Sequence, residues 1–194
     1  MKILQLGKYY YPYLGGIENV VQSISEQMAK WGHEVTVLAA NTKFNTSIEI
    51  INNVKIIRCA NLGTLLSTPI CPSYIFWTNK LPAQDIIDIH LPNPIANIAY
   101  LLSSQTSKFA VHYHSDIVKQ KTSYIIYKQL LFKLLKKSEQ IIVSYPQIIE
   151  HSPVLKDFKE KCVVVPFGIN PGPFNYTNEI QKKVKEIHER FGTK

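Results

Sequence analysis

Ile3-Leu-Gln-Leu-Gly7, Lys8-Tyr-Tyr-Tyr-Pro-Tyr-Leu-Gly-Gly16 and Ile17-Glu-Asn-Val-Val-Gln-Ser-Ile-Ser-Glu-Gln-Met-Ala-Lys-Trp-Gly32 follow one another directly, and their reading decides the fold. The first piece is short and apolar, as a buried strand is. The last carries Ile17, Val20, Val21, Ile24, Met28 and Trp31 at helical spacing, and Gly32 stands where a left-handed residue closes a helix. Strand, glycine-containing loop and helix in this order form the opening unit of a parallel α/β sheet.

The same alternation continues outward. Glu34 to Ala39 is a second strand, Ile48 to Ile51 and Val54 to Cys59 pair as a hairpin about Asn52-Asn53, and Asp85 to His90 is another strand. A helix near Pro94 to Ser104, a strand Phe109 to His114 and an amphipathic helix Ser123 to Lys137 follow. The strand Gln140 to Ser144, a short helix from Pro146 and the strand Cys162 to Pro166 complete the sheet. With Val54 to Cys59 as one member, seven strands are expected, and right-handed crossovers make them a doubly wound, mostly parallel α/β sheet. Asn178 to Phe191 reads as a charged helix leading out of this domain, so residues 1–175 form the domain and 176–194 the exit segment.

With 194 residues, 45% of them hydrophobic, the chain can bury one sizeable core. Lys and Arg outnumber Asp and Glu by 22 to 14, a formal charge of +8, which favours an acidic partner without choosing among phosphate, nucleic acid and an anionic membrane surface. No stretch approaches the ~20 apolar residues of a spanning helix, and Met1-Lys2 leads into the first strand without a signal-peptide pattern. A cytoplasmic location is therefore expected. Cys59, Cys71 and Cys162 are odd in number and set in apolar surroundings, so they read as reduced core residues.

Ligands of a doubly wound sheet bind outside the carboxyl ends of its strands. The loop Lys8 to Gly16, His90-Leu-Pro-Asn-Pro94, His112-Tyr-His-Ser-Asp116, Ser144-Tyr-Pro146 and Pro166-Phe-Gly-Ile-Asn170 all lie there. Gly15 and Gly16 before a helix offer unpaired N–H groups to a phosphate; a tight turn uses the same residues, and the residue types leave both readings open. The spacing is neither Gly-x-Gly-x-x-Gly nor a phosphate-binding Walker loop, and no acidic residue follows the second strand to hold a ribose. Tyr9, Tyr10, Tyr11 and Tyr13 bring flat faces and hydroxyls suited to a sugar or a lipid-linked group, and packing beneath the loop would use some of them.

His112 and His114, two apart at a strand end, face the same way, and with His90 and Asp116 they resemble a zinc set. A chain with six histidines produces such a pair by chance, and no His-Glu-x-x-His helix or Cys pair supports it, so no metal is expected. His112 reads as a packed, hydrogen-bonded ring and His114 as a cleft residue.

Gly15-Gly-Ile-Glu18, Trp31-Gly-His-Glu-Val-Thr-Val37, His90-Leu-Pro-Asn-Pro94, His114-Ser-Asp-Ile-Val118 and Val164-Val-Pro-Phe-Gly-Ile-Asn170, in this order, resemble the N-terminal domain of family 4 retaining glycosyltransferases. The stretch His114 to Val118 is most similar to bacterial enzymes that build surface polysaccharides and O-antigens. The resemblance implies one Rossmann-like half of a GT-B fold and retaining transfer from a nucleotide sugar, which is a co-substrate, without a required cofactor or metal. It places Gly15 and Gly16 by the donor diphosphate and His114 by the donor sugar and the reacting centre. His114 and Asp116 would be the catalytic pair, with Tyr11, Glu18 and His90 toward a saccharide or lipid-linked acceptor. Tyr145-Pro146 stands where the family more usually has Ser-Pro or Ser-Asp.

Members of that family carry a second, donor-binding domain, so this chain is expected to supply the acceptor-side half and to transfer no sugar alone. A free-standing Rossmann-like binding or regulatory module, without catalysis, is the alternative. No nucleic-acid partner is expected. The basic amphipathic pattern of Ser123 to Lys137 serves either packing on the sheet or a peripheral contact with an anionic membrane at its inner face.

Overall fold

The computed structural model describes residues 1–117, 121–168 and 177–192, with 121–126 as backbone only. The elements are β1 (Lys2–Leu6), α1 (Gly16–Lys30), β2 (Glu34–Ala40), β3 (Ser47–Ile51), β4 (Val54–Cys59), β5 (Thr64–Leu65), β6 (Thr68–Pro69), α2 (Pro72–Lys80), β7 (Ile86–Leu91) and α3 (Pro94–Leu101). They continue with β8 (Lys108–Tyr113), α4 (Lys121–Lys137), β9 (Gln140–Val143), α5 (Gln147–His151), a 3-10 segment Leu155–Lys161, β10 (Cys162–Val164) and α6 (Asn178–Phe191). The motif residues Val118, Ile169 and Asn170 and the predicted boundary near residue 175 lie outside the described residues.

Eight strands form the main sheet in the order β10-β9-β8-β7-β1-β2-β4-β3. Seven run parallel, as the sequence predicts, and β3 adds an eighth, antiparallel to β4 at one edge. Asn52 and Asn53, with φ of 49° and 65°, make the tight connection, a conformation asparagine tolerates and hairpins favour. The chain winds outward from β1 to β4, then returns to lay β7 on the other side of β1. The carboxyl ends of β1 and β7 therefore flank the switch point where α/β sheets bind ligands.

Both faces are covered. Ile3, Val35, Val37, Val54 and Ile56 meet Val21 and Tyr10 on the α1 side. Leu4, Leu6, Leu38, Ile57, Ile87, Ile89 and Val111 meet residues of α2, α3 and α4 on the other. The helix α2 and the small β5–β6 hairpin are absent from the sequence reading, because Pro69 to Lys80 carries no clear apolar period. Its Tyr74 is fully buried, with its hydroxyl 3.0 Å from the carbonyl oxygens of both Gly7 and Leu38, so it ties down the ends of β1 and β2. On α4, Leu131, Leu134 and Leu135 are buried while Lys133, Lys136 and Lys137 are exposed, so those leucines pack into the core.

Candidate active site at the carboxyl edge of the sheet

A parallel strand buried on both faces is ordinarily a continuous apolar run. β1, β7 and β8 depart from this on one face. Gln5, Asp88, His90 and His112 alternate with Leu4, Leu6, Ile87, Ile89 and Val111, and all four polar residues are buried. The register pairs Gln5 with Asp88 and His90 with His112, so a polar track crosses three strands toward their carboxyl ends.

The track is closely hydrogen-bonded. Both carboxylate oxygens of Asp88 lie 2.8 and 2.9 Å from Nδ1 of His112. His90 Nε2 is 2.7 Å from Gln5 Oε1, and His90 Nδ1 is 3.0 Å from Nε2 of His114. The rings of His90 and His112 are parallel at 4.8 Å, and His114 stacks beyond His90 at 5.3 Å. Burial pulls the His90 pKa down to about 3, against the attraction of Asp88. Burial likewise lowers His114 to about 4, helped by the neighbouring His112. For Asp88, burial pushes upward, but the His90 and His112 rings and hydrogen bonds from His112 and Gln5 outweigh it and hold the carboxyl below its usual range.

At the same edge, Gly15 is the N-cap of α1, and Asn19 N–H donates to the Gly15 carbonyl at 2.9 Å. Gly15 has an extended backbone, so its constraint is space: a Cβ there would lie 2.1 Å from Oε2 of Glu18. The Glu18 carboxylate, largely buried, thus folds back over the helix N-terminus, where a negative charge is favoured. Gly16 has open space around its Cα. Asn19, Ser23, His112, Pro166, Phe167 and Gly168 border a cavity of about 220 Å³ beside this helix. The Phe167 ring lies 5.5 Å from that of His114.

A larger cavity, about 480 Å³, lies across the loop Lys8 to Gly16, over β2, β4 and β3. Tyr9, Tyr13, Asn41, Lys43, Asn45 and Arg58 are among its walls, and Tyr9 and Tyr13 stack at 4.2 Å. Burial lowers the Lys8 pKa, and the Glu18 charge partly restores it. Arg58 is buried and donates to Glu49 and to the backbone carbonyls of Tyr10 and Tyr11. It fixes the tyrosine loop from beneath.

The predicted residues therefore divide. His90, His114, Gly15, Gly16 and Gly168 share the carboxyl edge, and His90 is in the interior, in contact with His114 and Gln5. Tyr11 is 44% exposed on the loop rim, while its neighbour Tyr10 is buried in the core. Asp116 accepts from Tyr113 at 2.6 Å and from Ser152 at 2.8 Å, which anchors the segment after β8. His112, read as packed, is buried and also borders the smaller cavity. Asp88, Gln5 and Arg58 were missed. Among the described residues, Asp88, His90 and His112 bring potential metal-ligand atoms within 4.8 Å of one another, so Asp88 stands where the sequence offered Asp116. His90 Nδ1, His90 Nε2 and His112 Nδ1 each already face a protein partner, so hydrogen bonds hold this cluster together.

Residues 14–172 match the model of Glycosyltransferase Family 4. The chain is 31% identical over 171 residues to the O-antigen chain mannosyltransferase C of Escherichia coli, covering 87% of this chain and 46% of that protein. It is 25% identical over 194 residues to a D-rhamnosyltransferase of Pseudomonas aeruginosa, covering 99% and 50%. The chain thus spans about half the length of these curated relatives. Its fold is similar to a sucrose-phosphate synthase from Thermosynechococcus elongatus, with TM-score 0.67, 16% identity and coverage of 95% and 52%. It is also similar to the catalytic domain of starch synthase IV from Arabidopsis thaliana, solved with ADP and acarbose, with TM-score 0.60, 11% identity and coverage of 89% and 52%. The chain belongs to glycosyltransferase family 4 and has the Rossmann-like fold of the N-terminal half of a GT-B enzyme.

Proposed function

We propose that this chain is the acceptor-side half of an enzyme that moves a hexose or deoxyhexose from a nucleotide sugar, with retention, onto a growing saccharide or lipid-linked acceptor. The observation that supports this most is the convergence at one sheet edge. The N-terminus of α1 at Gly15-Gly16 can meet a diphosphate once the Glu18 carboxylate turns aside, while His114 at the same sheet edge can meet the sugar. The relatives' names, mannosyltransferase and rhamnosyltransferase, favour the sugar class. The 480 Å³ cavity, with stacked tyrosines and amide-bearing walls, lies within the roughly 300–1,000 Å³ of small-molecule sites and suits an acceptor saccharide.

Positioning and charge stabilisation supply most of such catalysis, and Lys8, close enough to Glu18 to feel its charge, brings a single cation toward the Gly15-Gly16 edge. The 194-residue chain is therefore expected to turn over no sugar from a panel of UDP- and GDP-sugars. A longer reading frame that adds a donor-binding domain is expected to do so, with His114→Ala lowering its rate at least tenfold. Substantial transfer by the short chain, or an inactive longer frame that still binds a regulatory ligand, would favour the binding-module reading.

A lipid-linked acceptor calls for contact with a bilayer, although no helix among the described residues is long and apolar enough to cross one. With the α4 leucines packed inside, the better face is the rim of the large cavity. Phe44, Leu62, Leu65, Leu66 and Ile70 are exposed there, and Asn61 N–H holds the hairpin to the Lys43 carbonyl. Glu49 is the one acidic residue between Val35 and Gln84, against Lys43, Lys55, Arg58 and Lys80. Phosphatidylglycerol vesicles at low salt should bind the chain, and salt or Leu65→Ser with Leu66→Ser should weaken that binding. Binding unaffected by both would remove the membrane from this reading.

A further inference from the structure

The geometry points to a one-way hydrogen-bond relay, from Gln5 and Asp88 through His90 to His114, that fixes the His114 tautomer and leaves its Nδ1 lone pair open as an acceptor. The polarity starts at the buried acceptors that face His90. The Gln5 amide directs its NH₂ group at the weak acceptor Met28 Sδ, 3.9 Å away. Its oxygen is then the atom 2.7 Å from His90 Nε2. That nitrogen faces two acceptors, Gln5 Oε1 and, at 3.6 Å, Asp88 Oδ2, so it carries the hydrogen.

His90 is buried and uncharged at neutral pH, so its other nitrogen, Nδ1, is bare. It lies 3.0 Å from His114 Nε2, and two bare nitrogens would repel at that distance. His114 Nε2 therefore donates, and because His114 is also neutral, its own Nδ1 is left with a lone pair. Among the described residues no protein group takes up that nitrogen.

The consequence is selectivity of chemical class. A bare lone pair accepts from a hydroxyl and repels an ionised phosphate oxygen, which carries no hydrogen to give. The two polar features of this edge thus divide the work: α1 with Gly15-Gly16 suits the anion once Glu18 turns aside, and His114 suits a hydroxyl-bearing carbon skeleton. Gln5, Asp88 and His90 are positioning residues, acting on the ligand only through His114. That the hydroxyl belongs to a sugar rests on the reading above; the tautomer does not.

Side-chain ¹H–¹⁵N correlation spectra of the uniformly ¹⁵N-labelled 194-residue chain test this without any turnover. At pH 7 His114 should show a protonated-type Nε2 and a bare-type Nδ1. His90→Leu removes the acceptor for Nε2–H and should turn this into a mixture of both tautomers. His90→Asn, whose amide oxygen can take the place of Nδ1, should restore the single form. A wild-type His114 protonated on Nδ1, or equally on both nitrogens, overturns the relay, and this spectrum decides alone if a variant does not fold. A single Nε2–H form that survives unchanged in a folded His90→Leu variant also overturns it, since the tautomer would then owe nothing to the chain of bonds. An intact relay in a protein that transfers no sugar would reject the functional reading and leave the relay standing.

Discussion

Lowering the pH from 7 to 4 is expected to strip this domain of most of its stability, well before carboxylates in general titrate. An ordinary histidine takes up a proton near pH 6.5, but His90 and His114 are held to about 3 and about 4 by burial. Below pH 6.5 the unfolded chain therefore binds protons that the folded chain refuses. Stability then rises with pH throughout the window between the folded and unfolded values, and it falls on acidification. Each refused proton is worth about 1.4 kcal/mol per pH unit. Two rings acting over about two units remove on the order of 5 kcal/mol, comparable with the whole stability of an ordinary domain. Asp88 works in the same direction at lower pH. Its folded pKa is depressed, so its contribution is present above the usual aspartate range and disappears as the pH falls through the folded value.

Urea denaturation at pH 7, 6, 5 and 4 measures this directly. The unfolding free energy should drop steadily across the series, and a variant carrying His90→Asn and His114→Asn should show a much flatter profile. A wild-type profile flat to within about 1 kcal/mol between pH 6.5 and 4.5 would mean that water reaches these rings and that the polar track is open.

Why these groups were only partly legible in the sequence follows from where they act. The parallel sheet could be read because each strand-and-helix unit is local: the apolar run before Gly7, the period from Ile17 to Trp31 and the Asn52-Asn53 turn need no distant partner. The segment from Thr64 to Lys80 could not, since α2 is apolar around much of its surface and Tyr74 acquires its role only by reaching Gly7 and Leu38. His90 and His114 were visible because they end strands. Asp88 was not, although one signal was present. A carboxylate two residues before His90, in a strand that should be apolar on both faces, marks a polar face, and Gln5 in β1 marks the same face. What pairing supplies is the register that puts Gln5 beside Asp88 across 83 residues of chain. No spacing in the sequence carries the direction of the hydrogen bonds that follow from it.

Arg58 is the other residue that pairing reveals, and replacing it by methionine should cost about 1–3 kcal/mol, because the part-buried Tyr11 carbonyl loses its donor while the Tyr10 carbonyl keeps the Tyr13 N–H at 3.1 Å. Along β4, Val54, Ile56 and Arg58 point to the α1 side, and the guanidinium continues past Tyr10 to the carbonyls of Tyr10 and Tyr11. Methionine fills much of the stem's volume, so the loss measures the fork and not a cavity. Lysine keeps the charge but is a point donor that cannot span the same acceptors, so Arg58→Lys should fall between wild type and Arg58→Met. Glu49, whose side chain is 41% exposed, loses only a partner that water replaces, and Glu49→Gln should cost under about 1 kcal/mol. Urea midpoints of the three variants give this order. Hydrogen exchange locates the effect: in Arg58→Met the amides of residues 9–13 should exchange faster by more than the global loss explains, because their anchor is gone. Equal costs for Arg58→Met and Glu49→Gln would show that the ion pair alone is at work. The tyrosine loop, and with it the wall of the 480 Å³ cavity, would then be held by Tyr74 and the packing of Tyr10.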